Sequence, residues 1–174
     1  MKTSVFCAAS IDGFIAKADD DIDWLKPYEN DPHRFEEFFA SIDAVVIGRR
    51  TFEVVPKFGS WLYTKPVFVL SSSLKELPKL PKRAVCELIN AEPGDVLKQL
   101  EQRGFKHLYV DGGITIQRFL SAGLIDRITI TRVPILLGSG IPLFGMLPHE
   151  LQLKHVETRT YPTGLVQSEY ELVR

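Results

Sequence analysis

"YVDGGITIQRFLSAGLIDRITI", residues 109–130, opens as a strand, breaks at two adjacent glycines and then winds into a helix, with Ile116, Phe119 and Leu120 on one face. Glycine costs backbone entropy. Two together at a strand end therefore need a reason: a positive φ, the close approach of another group, or an unusual peptide. Packing of the helix onto the sheet accounts for one of them. Two directly before a helix N-terminus predict an anion held against bare backbone. The run Asp111-Gly112-Gly113-Ile114-Thr115-Ile116 lacks the third glycine of the dinucleotide fingerprint, and no GxxxxGK[ST] occurs in the chain, so neither a standard Rossmann domain nor a P-loop is present.

Outward from this turn, short apolar runs rich in β-branched residues recur: "SVFCAAS", "DAVVIG", "PVFVLSSS", "RAVCELI", "HLYVDGG" and "DRITITRVPIL". Their length and their Asp, Gly, Pro and Ser boundaries are those of buried strands. Helical patterns lie between them. In "DPHRFEEFFASI", Phe35, Phe38, Phe39 and Ile42 share a face, and Asp31-Pro32 reads as an N-cap and N1 pair. "PGDVLKQLEQRG" places Val96, Leu97 and Leu100 together and stops at Gly104, a left-handed C-terminal residue. Beyond Asp126 the pattern alternates, with turns at Gly138 to Pro142 and Pro162 to Gly164. This order predicts one α/β domain with a mixed sheet, parallel at first, flanked by helices, and antiparallel at its C-terminal edge.

With 174 residues, 45% of them hydrophobic, and a net charge of −1, the chain has the makings of a soluble globular protein. Nothing marks it as disordered or as a nucleic-acid binder. The apolar run of "MKTSVFCAAS" is too short for a secretory or transmembrane segment, so a cytoplasmic location with no membrane partner is expected. Cys7 and Cys86 read as reduced, buried thiols, and the four histidines show no ligand spacing, so no metal site is expected.

Ligands of open α/β sheets gather at the carboxyl ends of the strands. Three strand exits carry suitable chemistry. "VVIGRRTFE" offers Gly48 and a helix start with Arg49, Arg50 and Thr51. "VFVLSSSLK" offers Ser71, Ser72 and Ser73, whose hydroxyls suit a phosphate monoester. The third is the double glycine. "AASIDGFIAKADDDIDWLKP" adds a long loop with an Asp-Gly turn, an acidic run and Trp24, of a length that often forms a lid.

The segment Ala8 to Ala16 with Trp24, then "VVIGRRTFE", "VFVLSSS" and "YVDGGITIQRFL", resembles the dihydrofolate reductase-like superfamily in order and spacing. "AGLIDRITITRVPILLGSGIPLF" is similar to the C-terminal reductase domain of the riboflavin-biosynthesis deaminase/reductase (RibD), a branch of the same superfamily. The resemblance covers nearly the whole chain. It implies a three-layer fold whose mixed, mostly parallel sheet has eight strands and about four flanking helices. It also implies NADPH as cofactor, a small heterocyclic substrate and a homodimer, with "RITITRVPILL" and "SGIPLF" as candidate interface segments.

By the same resemblance, Gly48, Arg49, Arg50 and Thr51 together with Gly112, Gly113, Ile114, Thr115 and Ile116 receive the cofactor pyrophosphate. Ser71, Ser72 and Ser73 take its phosphoadenosine end, and Ala8 and Ile15 line the nicotinamide. A cis peptide is implied at Asp111-Gly112 or Gly112-Gly113. Asp31, four residues before Phe35, matches the proton-donating carboxylate and the Phe that touches substrate; the N-cap role already explains Asp31 adequately and is the favoured reading, and Asp12 in the loop is the alternative acid. Trp24 completes the substrate side. The Lys and phosphate pattern of the riboflavin-pathway enzymes is not evident, and no deaminase domain with HxE and CxxC precedes this one. The acceptor therefore stays open between a pterin-like ring, a pyrimidine-like ring and the riboflavin-pathway uracil, as does a nucleotide-binding module without catalysis.

Overall fold

A computed structural model describes residues 1–31, 33–55, 61 and 63–173. Eight strands form one sheet in the order β5-β4-β3-β6-β1-β7-β10-β9: β1 (Lys2–Ser10), β3 (Ala44–Gly48), β4 (Val67–Leu70), β5 (Cys86–Ile89), β6 (His107–Asp111), β7 (Arg127–Val133), β9 (Leu153–Thr160) and β10 (Val166–Leu172). The pairs from β5 to β7 are parallel, and β10 runs antiparallel to both of its neighbours. A two-stranded ribbon of β2 (Phe14–Ala16) and β8 (Ile141–Pro142) stands apart.

Strand alternation sends side chains to two layers. One face carries Val5, Val46, Phe68, Leu108 and Val110 against α3 (Pro93–Gln102) and α4 (Gly113–Ser121), which contribute Val96, Leu100, Ile116 and Phe119. Each of these fully buried side chains stabilises the fold by about 1.5–3 kcal/mol. The other face carries Phe6, Val45, Ile47, Val67 and Tyr109, covered by Phe35 and Phe38 of α1 (Phe35–Ser41) and Phe52 of α2 (Arg49–Val54). A 3-10 helix, Asp23–Tyr28, buries Trp24 against Val133 and Leu165. The expected mixed sheet, antiparallel C-terminal edge and four α-helices are all present, and Gly104 closes α3 with φ +90°.

The start of α1 differs from the sequence reading. The helix begins at Phe35, and Arg34, at φ 61°, stands in the N-cap position without a side-chain cap. Asp31 instead accepts a hydrogen bond from the Thr163 hydroxyl in the β9–β10 turn. The partner across the sheet outcompetes the local cap. Pro32, its predicted N1 partner, lies outside the described residues. Among the described residues every peptide is trans, against the expected cis bond; Gly112 makes the turn through φ 89° instead. β7 is an internal strand paired with β1 and β10, so its apolar run is accounted for within the sheet. Cys7 and Cys86 are free and partly buried.

Candidate active site

Chain order and sheet order part company at β6, which inserts between β3 and β1. Connections diverge there, and ligands of open α/β sheets bind at the carboxyl ends of the strands beside such a point. Gly48 ends β3 and starts α2; Gly112 follows β6 and starts α4. Neither helix has a side chain capping its N-terminus. Two sets of first-turn amides thus meet at one place, a positive end of the kind that attracts anions.

The glycines let these helix starts interlock. A Cβ on Gly48 would lie 2.7 Å from Thr115 Oγ1, and one on Gly112 would collide with Thr51 Oγ1. Each turn accepts the threonine of the other helix. Gly113 faces the β2–β8 ribbon: its Cβ would lie 3.1 Å from both Ile15 Cδ1 and the Pro142 carbonyl oxygen. The close approach that Gly48 and Gly112 permit is made by threonine side chains. Protein atoms fill the space beside both glycines, and what the turn can present to a ligand is the amide row of α4. Thr115 and Ile116 are buried and Ile114 is exposed; the Ile116 amide is spent on the Gly112 carbonyl at 2.8 Å, so the amide row ends at Thr115.

The serine exit lies alongside. Arg49 donates to Ser73 Oγ at 3.0 Å, and Ser71 Oγ accepts from the Ser73 and Leu74 amides. Ser71 and Ser72 open onto a cavity of about 270 Å³ that Asn90, Glu92 and Arg118 also line. Asn90 and Arg118 went unread in the sequence, since neither belongs to a local motif. On the other flank, Arg50 pairs with Asp20 of the long loop at 3.0 Å.

Asp12 sits at the base of that loop. Its carboxylate accepts from Ser10 Oγ at 2.6 Å, Gly138 N at 2.7 Å and Leu137 N at 3.1 Å. The Ser10 hydroxyl foremost, and then the two amides, hold its pKa below the ordinary carboxylate range. Ala8 packs with Trp24 in the small cluster around Val133. Phe35 stacks on Phe39 at 5.5 Å and meets Tyr109 edge-on at 6.3 Å. Asp31 is drawn toward the β9–β10 turn, on the far side of β1 and β7 from the glycine turn.

Asp111 closes β6 beside Ile47 of β3. Burial raises its carboxyl pKa; the Gly112 amide, 2.8 Å from Oδ1, and the Tyr109 phenol only partly oppose this. The same carboxylate adds to burial in raising the Tyr63 phenol. Asp111 drew attention in the sequence only as the neighbour of two glycines. Its placement at the switch point depends on β6 inserting between β3 and β1, which no local pattern reveals.

A separate groove of about 280 Å³ lies under α1 over the amino half of β1. Its arginines, Arg34, Arg127 and Arg159, are held in ion pairs with Glu37, Glu157 and Glu169.

The family model of the RibD C-terminal domain matches residues 2–167. The chain belongs to this family. YwjB of Bacillus subtilis (strain 168), an uncharacterized protein, is 32% identical over 166 residues that cover 92% of each chain. Among solved structures, a protein of Shewanella sp. PV-4 named for riboflavin biosynthesis superposes with a TM-score of 0.94 at 39% identity over 100% of both chains. The dihydrofolate reductase of Enterococcus faecalis in complex with NADP(H) gives a TM-score of 0.68 at 15% identity, covering 99% of this chain and 97% of that one. This RibD C-terminal domain therefore has the dihydrofolate reductase-like fold. No helix among its described residues is long and apolar enough to cross a membrane.

Proposed function

We propose that this RibD C-terminal domain protein is an NADPH-dependent reductase that transfers a hydride to a small heterocyclic acceptor, pterin-like or pyrimidine-like. One observation carries the reading: two uncapped helix N-termini interlock at the switch point with the Arg49–Ser73 pair beside them. In this reading the amides of Arg49 to Thr51 and of Gly113 to Thr115 bind the pyrophosphate, whereas the Ile116 amide already donates to the Gly112 carbonyl at 2.8 Å. Arg49, Ser71, Ser72 and Ser73 bind the adenosine phosphate, and Ala8 and Ile15 flank the nicotinamide. Trp24 and Phe35 border the acceptor. The bound cofactor supplies the hydride, and the chain supplies orientation and a proton.

The proton source in this reading is Asp111 rather than Asp31 or Asp12. Burial holds the Asp111 carboxyl protonated to a higher pH than an ordinary carboxyl. Asp12 is held ionised by three donors, and Asp31 is engaged by Thr163. Family membership favours the riboflavin-pathway uracil as acceptor, since a deaminase/reductase of Thermotoga maritima whose name includes 5-amino-6-(5-phosphoribosylamino)uracil reductase shares the fold (TM-score 0.71, 17% identity, 99% of this chain and 56% of that one). Exposed Leu136, Phe144 and Met146 support a homodimer, which light scattering tests. The activity test is the loss of reduced-nicotinamide absorbance with a panel of dihydropterins and aminouracils. Oxidation by one class supports the reading; NADPH binding with no oxidation by any acceptor replaces it with a nucleotide-binding module.

A further inference from the structure

We propose that Asp12 is a positioning residue of the cofactor site, acting through the β2–β8 ribbon; the inference rests on the reductase reading above. Asp12 draws together two segments far apart in sequence, the start of the 11–24 loop and the turn at Leu137 and Gly138. The neighbouring backbone follows the same seam: Ile11 N donates to Ile135 O, and Leu143 N to Gly13 O, both at 2.9 Å. The two strands joined in this way, β2 and β8, carry the atoms that line the space where a side chain on Gly113 would stand, namely Ile15 Cδ1, Ile141 Cγ2 and the Pro142 carbonyl. Gln117 Nε2 of α4 donates to the Pro142 carbonyl at 3.0 Å. A chain of hydrogen bonds thus runs from the Asp12 carboxylate through the ribbon to Gln117 of α4, and the ribbon lies beside the Cα of Gly113 at the start of that helix.

The chemistry requires an anion at position 12. Three donors converge on its two oxygens, which only a carboxylate can serve in full. An asparagine of the same shape turns one oxygen into an NH2 group facing an amide or hydroxyl donor, and the turn must move away. The ribbon then loses its register against Gly113, and Ile15 shifts with it. Asp12 touches neither cofactor nor acceptor in this account.

The test compares Asp12→Asn with a control that does the same job elsewhere. Asp43 accepts from the Lys106 and His107 amides at 2.7 and 2.9 Å, at the amino end of the sheet. Both variants lose a carboxylate clamp on two amides; only the Asp12 clamp holds the β2–β8 ribbon, whereas Asp43 holds the opposite end of β6 from α4. Asp12→Asn is expected to raise the NADPH dissociation constant about tenfold, with Asp43→Asn within about twofold of wild type at matched loss of urea midpoint. Hydrogen exchange without cofactor should quicken in Asp12→Asn at residues 137–143 and at the first turn of α4. Equal cofactor affinities in the two variants, or faster exchange confined to 137–138, would overturn the proposal. If wild type itself binds no NADPH, the reductase reading fails, and the exchange pattern alone still decides whether Asp12 sets the ribbon on α4.

Discussion

Thr51 and Gly112 share one space: the Thr51 hydroxyl occupies the position that a side chain on residue 112 would take. The relationship fixes α2 against α4 at the switch point of the sheet. It is mirrored by Thr115 against Gly48. Two helix N-termini that repel one another electrostatically are held side by side by interlocking backbone.

The first prediction concerns that contact. Gly112→Ala meets both the clash with Thr51 and a backbone at φ 89°, and should destabilise the protein by roughly 1–3 kcal/mol or more. In a Thr51→Ala background the penalty should shrink by about 1 kcal/mol without vanishing, because the strained φ remains. Urea midpoints across the double-mutant cycle read this directly. Full additivity would show that the two residues do not compete for the same space.

Asp111 makes stability depend on pH. Its folded pKa is raised above the ordinary value of 3.8, so its contribution to stability is fully present below that value and is lost as pH rises through the folded pKa. Asp111→Asn removes this loss. Relative to wild type, the variant should gain stability as pH climbs from about 4 toward neutrality, while reductase turnover falls. A stability difference flat across that window would place the carboxyl in contact with solvent.

Arg49 lies against Ser73, beside the Ser71 and Ser72 that open the cavity at the ends of β4 and β5. Arg49→Gln should weaken NADPH binding by roughly tenfold or more, the loss of one charge-assisted hydrogen bond. NADH, lacking the extra phosphate, should bind the variant and wild type alike. Calorimetric titrations with both cofactors separate the cases, and an equal loss for the two would remove Arg49 from the phosphate end.

The Asp20–Arg50 pair lies at the surface, with Arg50 exposed and Asp20 half-buried, at side-chain exposures of 53% and 25%. Breaking it by Asp20→Asn should change stability by less than about 1 kcal/mol. It should also tighten NADPH binding, because a carboxylate leaves the neighbourhood of the pyrophosphate and Arg50 is freed. Weaker binding would mean that the pair closes the loop over the cofactor instead.

Most strands, the four helices and their order were legible in the sequence, because strand runs such as "DAVVIG" and "DRITITRV" and the α4 stripe of Ile116, Phe119 and Leu120 carry their periodicity locally. The start of α1 was not, since Asp31 is drawn to Thr163, 132 residues away. The three strand exits could be read as phosphate-suited one by one. Their mutual contacts, Thr51 in the hollow of Gly112 and Arg49 on Ser73, follow from β6 inserting beside β3. For the same reason Asp111 was read only as a glycine's neighbour, and Asp12 as an acid rather than a clamp.

The most direct test of the reductase reading is a titration of the wild-type protein with NADPH and NADH, followed by the fluorescence of Trp24 and Trp61, both largely buried. Saturable quenching by NADPH at micromolar concentration, with NADH at least about tenfold weaker, is the predicted result. No binding of either cofactor at millimolar concentration, or equal affinity for the two, would contradict it.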